Sequence, residues 1–218
     1  MINKNILKAG LCLSVWISIA AQANIPANAK LSLNKNDIKV WTYRDASNSA
    51  MSYKAETHIN VPIEQAVALV LDVEHSSRWA PYVAKAEVLS RDEKNGEFTL
   101  YMVLDFPFPL KDRDLVVKGR ISKDSKGVIS IQNSAIAEGK AIQPDYVRLK
   151  RYQGNWTFQR LDATRVKVTT SGFADPEGAI PAKVANMFVE QQPYQMLQKM
   201  KAELAKNPKL PALPALLK

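Results

Sequence analysis

Apolar and polar positions alternate along most of this chain, and in two places the alternation gives way to spacings of three and four. Asp37 to Arg44 (DIKVWTYR) and Met51 to Ile59 (MSYKAETHI) alternate as half-buried strands do. Pro62 then opens a helix, a position where its missing N–H costs nothing. Ala66, Val67, Val70 and Leu71 form that helix's apolar stripe. A turn from Glu74 to Pro81 carries Trp79. Strands are predicted over Ala84–Arg91, Glu97–Asp105, Asp114–Ser122, Gly127–Asn133, Tyr146–Tyr152, Gly154–Arg160 and Arg165–Gly172. Phe98, Leu100, Met102 and Leu104 share one face of their strand; Leu115, Val117, Gly119 and Ile121 share one face of the next. Between these two strands Phe106-Pro107-Phe108-Pro109 breaks the ladder, because proline is poorly tolerated inside a sheet. The last predicted element is a helix from Pro181 to Lys206, with Val184, Met187, Phe188, Tyr194, Leu197, Met200 and Leu204 on its apolar face. Pro193 inside it predicts a kink, which serves either as a hinge or only as a bend over a curved sheet.

This order is an α+β arrangement: a strongly curved antiparallel sheet, joined mostly by short turns, with one long helix laid across it. The space between such a helix and the concave face can hold a ligand. The single domain is expected over residues 37–206, preceded by a polar lead-in over residues 24–36. A Pro- and Leu-rich tail over residues 207–218 is expected to fray.

The first residues bear on compartment. Lys4 and Lys8 precede an uncharged run from Ala9 to Ala20, and Ala21-Gln22-Ala23 has the small-x-small pattern of a cleavage site. Residues 1–23 read as a secretory signal peptide, since 12 apolar residues fall well short of the roughly 20 of a spanning helix. The expected product is soluble and exported, periplasmic or secreted. Cys12 is the only cysteine and leaves with this segment, so the mature chain is expected to carry no disulfide and no thiol nucleophile. Loss of Lys4 and Lys8 takes two charges from the formal +9 and leaves +7. That balance fits a solvated basic surface or a transient contact with an anionic membrane surface. Nucleic acid is not expected as a partner, because no reader motif and no compact basic block accompanies the charge.

Four segments resemble one family in order and spacing. Asp37-Ile38-Lys39-Val40-Trp41-Thr42-Tyr43-Arg44 looks like its opening strand. Asp72 to Val88, with Trp79 and Pro81, looks like its D-x-x-x-x-x-x-W segment. Asp112-Arg113-Asp114-Leu115-Val116 is similar to its P-R-D-F/L-V segment, with Asp112 in place of proline. Gly172 to Phe188 (GFADPEGAIPAKVANMF) resembles the stretch that opens its terminal helix. The family is that of START (steroidogenic-acute-regulatory-related lipid transfer) domains, within the helix-grip superfamily, and the resemblance runs from about Asp37 to Leu204. It implies a helix-grip fold whose internal tunnel holds one lipid or other apolar molecule under a lid formed by the terminal helix. Some members place a charged pair inside the tunnel; Leu100 and Gly119 stand where such charges would sit, which implies a more apolar cavity here.

The expected cavity residues are Leu100, Met102, Leu115, Val117, Gly119, Ile129, Ile131 and Trp156 on the strands, with Val184, Met187, Phe188 and Leu197 on the helix. Solid core packing produces the same pattern. Arg113 either reaches a polar lipid head or closes a structural ion pair with Asp112, Asp114 or another carboxylate. Catalysis is not expected: there is no nucleophile elbow, P-loop or dinucleotide fingerprint. The alternative is a cyclase- or hydrolase-like enzyme using the same cavity. Asp72, Glu74 and His75 are a weak metal set, so no metal and no cofactor is expected.

Overall fold

The computed structural model describes residues 25–45 and 50–218. The segment read as a signal peptide lies outside the described residues. Ten strands form one sheet: β1 (Lys30–Lys35), β2 (Ile38–Arg44), β3 (Met51–Ile59), β4 (Val83–Asp92), β5 (Glu97–Leu104), β6 (Arg113–Lys123), β7 (Ile129–Ile136), β8 (Val147–Arg148), β9 (Tyr152–Arg160) and β10 (Val166–Ala174). Their order is β1-β2-β3-β10-β9-β7-β6-β5-β4, antiparallel throughout that path. β8 adds a short parallel pairing to β6. Helix α1 (Ile63–Leu71) and a 3₁₀ turn over Val73–Arg78 carry the chain from β3 to β4 at the far edge. The sheet is curved and the C-terminal helix lies across it, as expected from the sequence.

Inward positions follow the two-residue period. Val166 and Val168 on β10, Phe158 on β9, Ile129 and Ile131 on β7, and Leu115 and Val117 on β6 all join the core beneath the terminal helix, with Leu197 and Met200 from that helix. The run Asp114-Leu115-Val116-Val117 is buried at every position, so this part of the sheet is covered on both faces. On the convex face Tyr101, Val103 and Val116 lie with Ile136 and Tyr146. There the Arg148 guanidinium grips Asp114 through two hydrogen bonds, of 2.9 and 2.8 Å. Arg148 also donates to the carbonyls of Lys140 and Ala141, and the Tyr101 hydroxyl donates to Asp114 at 3.2 Å. This pair pins the long connection after β7 and explains why the strand expected over Tyr146–Tyr152 shrinks to Val147–Arg148. The segment satisfies its polar groups through a side-chain clamp and two backbone bonds, Val147 N–H to Asp112 and Leu149 N–H to Asp114.

Three expectations change. Lys30–Lys35 belongs to the sheet as edge strand β1 and is not a mere lead-in. The terminal helix has three pieces: α2 (Ala182–Asn186), a π-helical turn over Met187–Gln191, and α3 (Gln192–Ala205). The irregularity thus precedes Pro193, which supplies no N–H to the carbonyl one turn back, and the backbone widens there instead of breaking. The tail does not fray. Asn207 ends the helix in a left-handed conformation (φ 49°), and the chain then folds back over the core. Leu210, Leu213 and Leu216 pack against that core, Leu217 is 3% exposed, and Lys123 Nζ holds the Leu217 carbonyl at 2.9 Å.

Arg148→Met leaves the Asp114 carboxylate buried and unpaired, and is expected to lower stability by about 3–5 kcal/mol in urea unfolding. Burial, and secondarily the Asp114 carboxylate, raises the Tyr101 phenol from its ordinary value near 10 to about 12. The folded state therefore holds this proton more tightly. That stabilisation is complete below pH 10 and is lost as pH rises from 10 to 12. Tyr101→Phe is expected to reduce the loss of stability across that interval, measured by urea unfolding at pH 9 and pH 11.

Candidate functional site

A cavity of about 490 Å³ lies between the concave face of the sheet and the terminal helix. Its floor is set by the pleat: Leu100 and Met102 of β5, Leu115 of β6, Ile131 and Asn133 of β7, Gly154 and Trp156 of β9, and Thr170 of β10. Ala185, Phe188, Val189, Gln192 and Met196 roof it. Val70, Leu71, Val73, Ser76 and Trp79 supply a side wall from α1 and the turn that follows. The lining tracks β5 from Glu97 to Leu104 and on to Phe106, about 30 Å of extended chain at the usual rise.

The two ends are bounded by different groups. At one, Phe188 of the π turn stacks on Phe106 with ring centres 4.4 Å apart, and Tyr82 leans on Phe188 at 5.2 Å. At the other, Pro211, Ala212, Pro214 and Leu216 of the tail line the cavity beside Gly96 and Glu97.

Of the residues expected from the sequence, Leu100, Met102, Leu115, Ile131, Trp156 and Phe188 line this cavity. Val117, Ile129 and Leu197 point inward but are spent on solid core. Gly119 lies beneath the Phe98 ring, where a Cβ would stand 2.3 Å from Phe98 Cζ. Val184 and Met187 are half-buried on the terminal helix and are not part of the lining.

Arg113 neither lines the cavity nor closes a carboxylate pair. It is 3% exposed and donates to the carbonyls of Lys111, Pro176 and Glu177, with its guanidinium 4.2 Å from the centre of the Phe106 ring. Burial lowers its pKa from the ordinary value, partly opposed by Asp112. The flanking carboxylates are engaged elsewhere: Asp112 accepts from the Phe106 N–H at 2.9 Å and Asp114 pairs with Arg148. Arg113 is thus a clamp that ties the β5–β6 connection to the segment leading into α2. Asp72, of the weak metal set, meets the His75 imidazole at 2.7 Å and Arg78 at 3.2 Å.

The lining also has a polar part that the alternation of apolar positions does not reveal. Tyr53, Asn133, Tyr152 and Thr170 face the cavity at positions in step with apolar neighbours: Asn133 with Ile129 and Ile131, Thr170 with Val166 and Val168. A polar residue in phase with an inward stripe was the available signal. Burial raises the phenols of Tyr53 and Tyr152, and the hydrogen bond between Tyr53 and Thr170 opposes this for Tyr53. Gly154 has no side chain where Tyr152 and Asn133 converge: a Cβ there would stand 2.4 Å from the Tyr152 hydroxyl and 2.8 Å from Asn133 Oδ1. Among the described residues, Ser76 Oγ, Trp79 Nε1 and Asn133 Oδ1 are buried without a hydrogen-bond partner. The charged lining residues stand at the rims, with Arg44, Arg91, Asp92 and Glu93 exposed and Glu97 half-buried.

A family model described as polyketide cyclase / dehydrase and lipid transport matches residues 59–201. An uncharacterised protein of Pseudomonas aeruginosa is 24% identical over 200 residues, covering 89% of this chain and 98% of that one. The phosphatidylcholine transfer protein of Bos taurus is 26% identical over 163 residues, covering 72% of this chain and 75% of that one. Among solved structures, a STAR-related lipid transfer protein fragment of Xanthomonas axonopodis superposes with a TM-score of 0.74 at 26% identity, covering 82% of this chain and 99% of that one.

Leu217→Ala is expected to cost about 2–5 kcal/mol in urea unfolding, as for other fully buried leucines. Deleting residues 208–218 uncovers one end of the cavity. The expected result is a rise in the fluorescence of an added solvatochromic dye at a temperature where the sheet is still folded by circular dichroism.

Proposed function

The chain belongs to the polyketide cyclase / dehydrase and lipid transport family, and we propose that this member binds one lipid or similar apolar molecule in its cavity and transfers it between membranes. The observation that carries this reading is the largely apolar cavity between sheet and helix. Removing apolar surface from water is worth roughly 25 cal/mol per Å², so a lipid chain is held there without specific polar contacts. Such work requires shielding from water and no bond-making. The relatives named as lipid transfer proteins support it.

The aromatic closure is the door in this proposal. Phe106 is anchored by Phe188 and Arg113, while Phe108, two residues on, is 96% exposed. A bare aromatic side chain beside a gate suits insertion into a membrane surface, and the positive balance of the chain suits an anionic one. Opening then requires the π turn that carries Phe188 to lift, with Pro193 directly after it. The protein works outside the cytoplasm in this reading, on the strength of the pattern over residues 1–23. No helix among the described residues is long and apolar enough to cross a membrane.

Native mass spectrometry of the protein purified from the cell envelope or medium, followed by solvent extraction, tests the proposal. A stoichiometric lipid on a chain starting at Asn24 is the expected result. An empty mass with no uptake from a lipid panel would overturn it. Phe108→Ser is expected to slow transfer of a fluorescent lipid between anionic vesicles severalfold while leaving the loaded fraction unchanged.

A further inference from the structure

The tail after α3 bounds the cavity at the end away from the Phe106–Phe188 stack, and it has space on both of its sides. Pro211 and Ala212 line the cavity inwardly. The same two residues line a separate outer cleft of about 480 Å³, shared with Glu64, Gln65 and Ala68 of α1. At this end the wall of the cavity is therefore a single extended segment of chain. Solvent is close by, since Arg91, Asp92 and Glu93 at the tip of the β4–β5 hairpin are exposed and also border the cavity.

This strap of residues 208–217 is held more lightly than the helix beside it. Helix α3 carries its own backbone hydrogen bonds and buries Leu197, Met200 and Leu204 almost completely. From Pro208 to Leu213 the strap forms no hydrogen bond with the other described residues. Pro208, Pro211 and Pro214 have no N–H to donate. Leu210, Leu213 and Leu216 touch the core but are only half-buried. The fastenings are at the two ends. Asn207, in its left-handed conformation, turns the chain out of α3. At the far end Lys123 Nζ donates to the carbonyls of Leu217 at 2.9 Å and Lys218 at 3.3 Å, and the Leu217 side chain is buried. Lys123 is exposed and is the last residue of β6.

Lifting this segment leaves the hydrogen bonds of the sheet and of α3 in place. Segments with few buried contacts and few hydrogen bonds are the ones that open by local unfolding while the rest stays folded. The outer cleft also gives Pro211 and Ala212 room to move without displacing α1.

We propose that the strap is a second gate of the cavity, hinged at Asn207, latched by Lys123 and Leu217, and opening toward the cleft over α1. A guest passes this gate without displacing Phe188 or the π turn. The proposal rests on the reading of the cavity as a chamber for an apolar guest, and adds a route into it.

The test follows release of diphenylhexatriene, an uncharged apolar fluorophore, from the full chain to phosphatidylcholine vesicles that carry a quencher. Lys123→Met removes two hydrogen bonds from a charged donor and is expected to speed release at least about threefold, with circular dichroism unchanged. A lock gives the opposite sign. In a Cys12→Ser background, which removes the only native cysteine, Gln65→Cys and Ala212→Cys place one thiol on each side of the outer cleft. Bridging them with a disulfide-containing bis-maleimide is expected to slow release severalfold, and reduction of the bridge to restore it. Release that is unchanged by the bridge makes the strap a fixed plug and overturns the proposal, leaving the lipid-binding reading standing. Should the bridge not form, unchanged release from Lys123→Met overturns it alone. Failure of the unaltered protein to take up the fluorophore overturns both readings.

Discussion

The fold hangs on one seam. β3 and β10 run antiparallel through eight residue pairs, from Ile59 opposite Val166 to Ser52 opposite Phe173. These strands are more than 100 residues apart in the chain. Their pairing joins an opening three-stranded meander to a later block of strands, and it gives the sheet enough width to curve around a helix. Inward positions along the seam are small or polar on one side: Ala55 and Thr57 face Thr170 and Val168. The helix can settle close there, and Leu197 and Met200 are fully buried in the core. Further round, at β5, β7 and β9, sheet and helix are not filled in this way, and the cavity is what remains. Solid core and open chamber are thus two regions of one concave surface, set by how near the helix comes.

Much of this was legible from residue order. Period-two alternation located most of the strands and their inward faces, because burying one face of a sheet fixes which neighbours must be apolar. Periodicity could not divide the chamber from the core. Leu115 and Val117 are equivalent in pattern, yet only Leu115 meets the cavity. Which of them does depends on the Phe98 ring covering Gly119 and on the path of the helix, both matters of tertiary packing. The tail misled for a related reason. Pro208 to Pro214 has no regular period, so nothing local shows that its leucines are buried; they are held by distant partners such as Lys123. Lys30–Lys35 was missed because an edge strand with four of its six residues exposed shows little contrast. Arg113 was weighed against the two carboxylates beside it in sequence, while its donors reach backbone carbonyls, two of them more than 60 residues away.

Charge is sorted by depth. The ion pair of Asp114 with Arg148, deeply buried on both sides, lies on the convex side and serves to anchor a loop. Arg113 is buried too, but at the gate, where an aromatic face and three carbonyls meet it. The chamber itself is left to aromatic, aliphatic and neutral polar groups. This division leaves neutral hydrogen-bonding groups, whose effect is short-range and directional, as the buried polar part of the chamber.

The covers of the chamber follow all ten strands in chain order. The π turn with Phe188, helix α3 and the strap of residues 208–217 all come after β10. A chain emerging from its amino-terminal end therefore completes the trough before any roof exists. During that interval the concave face is wet and open along its length. The concave face is therefore at its most accessible from the side before the carboxy-terminal covers are in place.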